Sequence, residues 1–224
     1  MAGVKIRVAL VDDHPLVVGG FVAALATVED LDLVAHGGTV AEARELLGRN
    51  DIDVLLLDVR LQDGNGLQAL AERAAGRGPA VLVISSFTAS QYVAAATRFG
   101  AAGFLFKAAP LPALIEAIRA VAAGDSVFTS RQLSERFVSL TAREREVLEL
   151  AMEGRSNKEI GARIGTSRKT VEAHLSEIYR KYGILGGRVE LTIRAAEEGW
   201  LEIQAPPREG RDNPSGRSPE RLAP

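Results

Sequence analysis

The sequence predicts an α/β domain built on an open five-stranded parallel sheet, followed by an all-helical unit. Three observations carry this. Across the first 124 residues, short apolar β-branched runs alternate five times with helix-like stretches. Three of those runs (VALV, VLLL and VLVI) are unbroken, as strands buried on both faces are. From Leu140 to Trp200 only helical periodicity remains.

The strand candidates are residues 6–11, 31–35, 54–57, 81–84 and 103–106, with helices expected at 16–28, 41–49, 67–75, 91–99 and 110–123. In the last helix Leu111, Leu114, Ile115 and Ile118 fall at helical spacing, and Gly124 is placed to stop it. Right-handed crossovers then put helices on both faces of the sheet. Strand order does not follow from this pattern. Composition changes after Gly124, so residues 1–124 read as the first domain, 125–139 as a linker and 140–202 as the second domain. Residues 203–224, rich in Pro, Arg, Gly and Ser, read as a disordered tail.

Bulk properties narrow the function. The chain has 224 residues, 46% hydrophobic and 25% charged, with no cysteine and three histidines. Disulfides, thiolate metal sites and a cysteine nucleophile are therefore excluded. No apolar run approaches the roughly 18 residues that a membrane span needs. With no signal-peptide pattern at its start, a cytoplasmic protein that does not engage a membrane is expected. The net charge of −2 is unevenly spread. Residues 1–124 carry ten Lys and Arg against thirteen Asp and Glu, whereas residues 155–181 carry seven basic against three acidic. A local basic patch in a neutral chain suits a nucleic-acid site, although solvated helix faces also look like this.

The strand ends hold the chemistry. In an open parallel sheet, ligands bind outside the carboxyl ends of the strands. Here the first strand ends in Asp12-Asp13, the third in Asp58, the fourth in Ser85-Ser86 and the fifth in Lys107. Clustered carboxylates repel one another unless a cation joins them, and hard oxygen ligands suit Mg²⁺ or its relative Mn²⁺. One carboxylate can then act as a nucleophile on phosphorus, with Lys107 and the Ser85 hydroxyl stabilising phosphoryl oxygens. Taken singly, each Asp could be a helix N-cap or a polar strand end. A flavodoxin-like phosphate loop is excluded, because Asp12-Asp13-His14-Pro15 would repel the anion. A dinucleotide site is excluded because the first turn lacks G-x-G-x-x-G. His14 reads as a loop or capping residue rather than a ligand.

The elements VDDHPLV, LLLDVRLQDGNGL, VLVISSF and GAAGFLFK, over roughly residues 4–124, resemble those of response-regulator receiver domains. The resemblance implies a doubly wound, flavodoxin-like sheet of order 2-1-3-4-5. It makes Asp58 the phosphoacceptor, Asp12, Asp13 and Asp58 the metal site, and Ser85, Phe104 and Lys107 the phosphate-sensing switch. Two departures stand out: Ser85 replaces the commoner Thr, and Phe104 lacks the hydroxyl of many relatives, so a switch there runs on packing.

In the second half, Thr141 and Glu144 form a capping box that opens a helix with Val147, Leu148 and Ala151 on one face. Gly154 ends it, and Ser156 caps a second helix that stops at Gly165. Thr166 or Ser167 caps a third, with Val171, Leu175, Ile178 and Tyr182 along one side. That is a helix-turn-helix plan, though a small docking or dimerisation module has the same periodicity. Ser167, Arg168, Lys169 and Thr170 at the start of the third helix suit phosphate oxygens, and Lys169, Glu172, Ala173 and Ser176 on its polar face can reach base edges. Arg180 and Lys181 extend the basic surface. The run LTAREREVLELAMEGRSNKEIGARIGTSRKTVEAHLSEIYRKYGI resembles the LuxR-type DNA-binding domain, over about residues 138–201. That resemblance implies four helices, the third in the major groove and the fourth (about residues 188–198) at a dimer contact. Glu172 stands where many relatives carry Lys.

Together the two halves resemble response regulators of the NarL/FixJ class. The resemblance implies a transcription regulator, not an enzyme, phosphorylated at Asp58 by a sensor histidine kinase. Its partners would be double-stranded promoter DNA and, in the active state, a second copy of itself. Two alternatives stay open: a DNA-binding regulator whose receiver works without phosphorylation, and an Asp-based phosphotransferase or phosphatase. Arg60, where the Asp-x-Asp design of such enzymes needs a second acid, argues against the latter.

Overall fold

The computed structural model describes residues 5–73, 78–86, 90–134 and 138–203. Seven strands and ten helices are described. In chain order they are β1 (Ile6–Val11), α1 (Pro15–Leu25), β2 (Leu31–Gly37), α2 (Val40–Leu47), β3 (Val54–Asp58), β4 (Arg60–Leu61), β5 (Gly64–Asn65), α3 (Gly66–Glu72), β6 (Ala80–Ser85), α4 (Ser90–Arg98), β7 (Gly103–Phe106), α5 (Leu111–Ala122), α6 (Ser130–Ser134), α7 (Ala142–Met152), α8 (Asn157–Arg163), α9 (Arg168–Tyr182) and α10 (Gly187–Glu197).

The main sheet is parallel, in the order β2-β1-β3-β6-β7. Leaving out the β4–β5 ribbon, this is the doubly wound 2-1-3-4-5 arrangement. Side chains alternate between two cores, as the period of a strand demands. Ala9, Val11, Leu55, Leu57, Val81 and Val83 face α2, α3 and α4. Val8, Leu10, Val54, Leu56, Leu82 and Ile84 face α1 and α5. Leu55, Leu56 and Leu57 are fully buried, each contributing roughly 1.5–3 kcal/mol relative to exposure. The winding reverses between β1 and β3, so their carboxyl ends flank the crevice where such sheets bind ligands.

Beyond the five expected strands, an antiparallel ribbon β4–β5 pairs Arg60 with Asn65 and Leu61 with Gly64. Residues read as linker are partly built into the first domain. Val127 donates to the carbonyl of Ala102 and accepts from the amide of Phe104, bridging the free edge of β7.

Helices α7 to α10 enclose a separate core of Val147, Leu148, Ile160, Val171, Leu175, Ile178, Leu191 and Trp200. Capping boxes open α7 (Thr141 with Glu144) and α8 (Ser156 with Glu159), and Ser167 rather than Thr166 caps α9. Gly161 lets α8 and α9 approach closely, since a Cβ there would lie 2.8 Å from the Thr166 carbonyl oxygen. Ile203, at the start of the segment read as tail, is buried in the receiver-side core of Leu55 and Tyr92. The rest of that segment lies outside the described residues. Among the described residues, no helix is long and apolar enough to cross a membrane.

Candidate functional site

Asp12 and Asp13 follow β1, and Asp58 ends β3, on the two sides of the crevice. One ligand atom from each of Asp12, Asp13, His14 and Asp58 can be chosen so that all four lie within 4.8 Å of one another. The strands deliver them, because β1 and β3 are adjacent and in register from Val8 opposite Val54 to Val11 opposite Leu57. Lys107, just beyond β7, places its ammonium 2.6 Å from a carboxylate oxygen of Asp12 and 2.6 Å from one of Asp58. The side chains of Asp12 and Asp58 are 0% and 4% exposed, and that of Lys107 10%. Burial raises the Asp58 carboxyl above the ordinary carboxylate value, although Lys107 opposes the shift. His14 occupies the N-cap position of α1 without a side-chain capping bond. Its ring instead faces the acids, with Nδ1 2.7 Å from Asp13 and 3.3 Å from Asp12.

Ser85 is fully buried at the end of β6, and its carbonyl accepts from the Lys107 amide at 2.9 Å. Phe104 is buried, with its ring edge-on to Phe106 at 5.7 Å. Gly66 has a positional role that the sequence reading missed: a Cβ there would stand 2.1 Å from the Asp58 carbonyl oxygen. The glycine lets the ribbon fold back against the end of β3, and its amide donates to Val59 at 2.9 Å.

In the helical unit, Ser167, Arg168, Lys169, Thr170, Ala173, Ser176 and Arg180 are exposed along α9. Several are already engaged. Arg168 pairs with Glu172 at 2.7 Å, Arg180 hydrogen-bonds Glu177, and the Ser176 hydroxyl donates to the Glu172 carbonyl. Ser167 accepts from the Thr170 amide. Among the described residues, no carboxylate lies within ion-pair distance of Lys169. Lys181 stands apart from the others. Its ammonium lies 2.7 and 2.8 Å from the two oxygens of buried Glu144, so it ties α9 to the start of α7.

The response regulator receiver domain model matches residues 8–119, half of the chain, and the model for bacterial regulatory proteins of the luxR family matches residues 138–195. The chain is a response regulator of the NarL/FixJ class. The nitrate/nitrite response regulator protein NarP of Escherichia coli K12 is 37% identical over 84% of this chain and 93% of its own length. The transcriptional regulatory protein UhpA of the same strain is 36% identical over 87% of this chain and all of its own. Among solved structures, the response regulator ChrA of a heme-sensing two-component system matches at 30% identity and a TM-score of 0.51, over 88% of this chain and 98% of its own. The regulator is thus a response-regulator transcription factor with a receiver and a LuxR-type DNA-binding domain.

One further cluster of the regulator escaped the sequence reading because it joins distant parts of the chain. Arg60, on β4, donates to the carbonyl of Ala196 on α10 and to the Tyr92 hydroxyl, both at 3.3 Å. Glu202 lies 3.4 Å from Arg60 and accepts from the Tyr92 hydroxyl at 3.4 Å. Burial and the neighbouring Glu202 carboxylate push the Tyr92 phenol up to about 12. Gln91 accepts from the Val138 amide at 3.3 Å. The end of the DNA-binding domain therefore rests on the receiver beside α4, while α9 keeps its N-terminal face open.

Proposed function

We propose that the regulator accepts a phosphoryl group on Asp58 from a sensor histidine kinase and thereby controls binding of α9 to double-stranded promoter DNA. The observation that carries this reading is the convergence of Asp12, Asp13 and Asp58 at the switch of the sheet, with Lys107 between Asp12 and Asp58. An oxygen of Asp58 attacks phosphorus, the bond from phosphorus to the donor's histidine nitrogen breaks, and its electron pair stays on that nitrogen. Lys107 stabilises the charge on the phosphoryl oxygens, for which it would exchange its present hold on Asp58.

The three carboxylates are hard oxygen donors close enough to share one ion, so they fit Mg²⁺ or Mn²⁺. Such an ion, held by Asp12, Asp13 and Asp58, would relieve their mutual repulsion and neutralise phosphoryl charge. The Ser85 hydroxyl would then turn toward the new anion and Phe104 repack, shifting the population of receiver conformers and favouring a homodimer. In the DNA complex Lys169, Arg168 and Arg180 serve as phosphate contacts, with Ala173, Glu172 and Ser176 toward the bases. The Lys181 ammonium, already held by Glu144, contributes structure. The regulator functions in the cytoplasm, where kinase and promoter meet.

Incubation with Mg²⁺ and a small acyl phosphate, followed by intact mass, tests the chemistry. One phosphoryl adduct is expected, absent in Asp58→Asn. Promoter binding that is the same for wild type, adduct and Asp58→Asn would instead favour a receiver that works without phosphorylation.

A further inference from the structure

We infer that Arg60 is a second route from the phosphoacceptor to the DNA-binding domain: it latches the end of α10 to the receiver, and a phosphoryl group on Asp58 draws it away. The inference rests on Asp58 being the acceptor.

The two halves of this device are set side by side by the chain itself. Arg60 lies two residues beyond Asp58, on the short strand β4 that follows the bend at Val59. Two residues of chain span at most about 7 Å, so the Arg60 backbone stays beside the phosphoacceptor. A guanidinium on its flexible stem can therefore reach either the crevice or the docked domain. In the structure it serves the domain, through the Ala196 carbonyl, the Glu202 carboxylate and the Tyr92 hydroxyl. Burial opposes its charge, but Tyr92, Glu202 and Asp58 together hold its proton more tightly than in free arginine.

The docked segment is closely fitted. Gly199, with a φ of +61°, lies so near Tyr92 that a Cβ would stand 2.1 Å from the phenolic oxygen. Ile203 is buried in the receiver core, and Trp200 is buried against Tyr182 in the other domain. Segment 196–203 thus belongs to both cores.

Competition follows from charge. Glu202 is half-exposed and offers one negative charge, and the Ala196 carbonyl offers a dipole. A phosphoryl group carries close to two charges and three acceptor oxygens, which a guanidinium can grip bidentately. When Arg60 turns to that anion, Tyr92 and Glu202 lose the cation that holds them together. Segment 196–203 and α10 are then freed. Ser85 and Phe104 play no part in this route, which needs only the side chain beside the acceptor.

Hydrogen–deuterium exchange of the full chain, read on peptides covering 196–203, tests this with intact mass taken on the same samples. Exchange in Arg60→Gln is expected to be at least tenfold faster than in wild type without any phosphoryl donor. Gly199→Ala, which forces the segment off Tyr92 and leaves Arg60 in place, should do the same. Acyl phosphate with Mg²⁺ should accelerate wild type by a similar factor, and add less than twofold in Arg60→Gln that carries the adduct. Unchanged exchange in Arg60→Gln would overturn the latch. A wild-type adduct with unchanged exchange would overturn the competition, as would a full further acceleration in phosphorylated Arg60→Gln. Absence of any adduct on wild type would refute Asp58 as acceptor and the competition with it, and the mass alone distinguishes that failure from the others.

Discussion

Replacing Glu144 by alanine removes three contacts from one buried carboxylate. Glu144 accepts from the Thr141 amide at 2.7 Å, closing the capping box of α7. Its two oxygens also hold the Lys181 ammonium at 2.7 and 2.8 Å, pinning the last turn of α9 to the first turn of α7. Loss of the Thr141 amide's hydrogen bond costs about 1 kcal/mol, while the Thr141 hydroxyl keeps its bond to the amide of residue 144. Stranding one partner of a fully buried ion pair costs about 3–5 kcal/mol, which falls to about 2 here because the Lys181 side chain is 21% exposed. The sum is about 3 kcal/mol. Trp200, the single tryptophan, packs at 3.7 Å on Tyr182 of α9, so its fluorescence reports on this core. With an m-value of about 1 kcal/mol/M for so small a unit, the urea midpoint should fall by about 3 M. Burial raises the Glu144 carboxyl pKa, but Lys181 and Thr141 outweigh it and hold the carboxyl below its ordinary value of 4.5. A depressed folded pKa stabilises above the unfolded value and is lost as pH falls through the folded one. The gap between wild type and Glu144→Gln should therefore be full at pH 7 and shrink as pH falls below 4.5. A midpoint shift under 1 M, or a double-mutant cycle with Lys181→Met that finds no coupling, would refute the assignment.

Three further outcomes are expected. Gly66→Ala must displace the Asp58 carbonyl, so the rate of phosphoryl uptake from an acyl phosphate should fall at least tenfold, read by intact mass over time. Phe104→Ala opens a cavity beside Phe106 and should destabilise the receiver by about 3 kcal/mol in thermal or urea unfolding. Lys169→Ala should weaken binding to every DNA sequence alike and lower the salt slope by about 1, whereas Ala173 substitutions should alter sequence preference.

The buried strands were legible because parallel strands covered on both faces write their position as continuous apolar runs, as in Val54 to Leu57 and Val81 to Ile84. The acids followed, because the residue after such a run must emerge at the carboxyl end of the sheet. The capping boxes of α7 and α8 are local, and a pattern of four residues specifies each. The ribbon at Arg60 and Asn65 is two residues per strand, too short for any periodicity to register. The partners of Lys181 and Arg60 were hidden for a different reason. Lys181 meets Glu144 across 37 positions and Arg60 meets Ala196 across 136, so only the folded chain brings them together. A basic side chain counted toward a DNA surface on composition can be spent on a buried carboxylate, as Lys181 is. His14 takes the N-cap position of α1, in line with a loop or capping residue, while the turn of its ring toward Asp12 and Asp13 is a direction that no periodicity encodes.

The bridge from Val127 to Gly103 has a practical meaning for anyone dividing this molecule. β7 is a sheet margin of four residues, and Val127 takes up the Phe104 amide and the Ala102 carbonyl along its outer edge. A receiver fragment ending at Gly124 would bare that amide and that carbonyl beside Phe104 and Phe106, leaving the sheet edge as a template for another chain. Such a fragment should self-associate, whereas one carried through Thr129 should remain dispersed. The boundary at which the receiver becomes an independent particle thus lies a few residues beyond its last long helix.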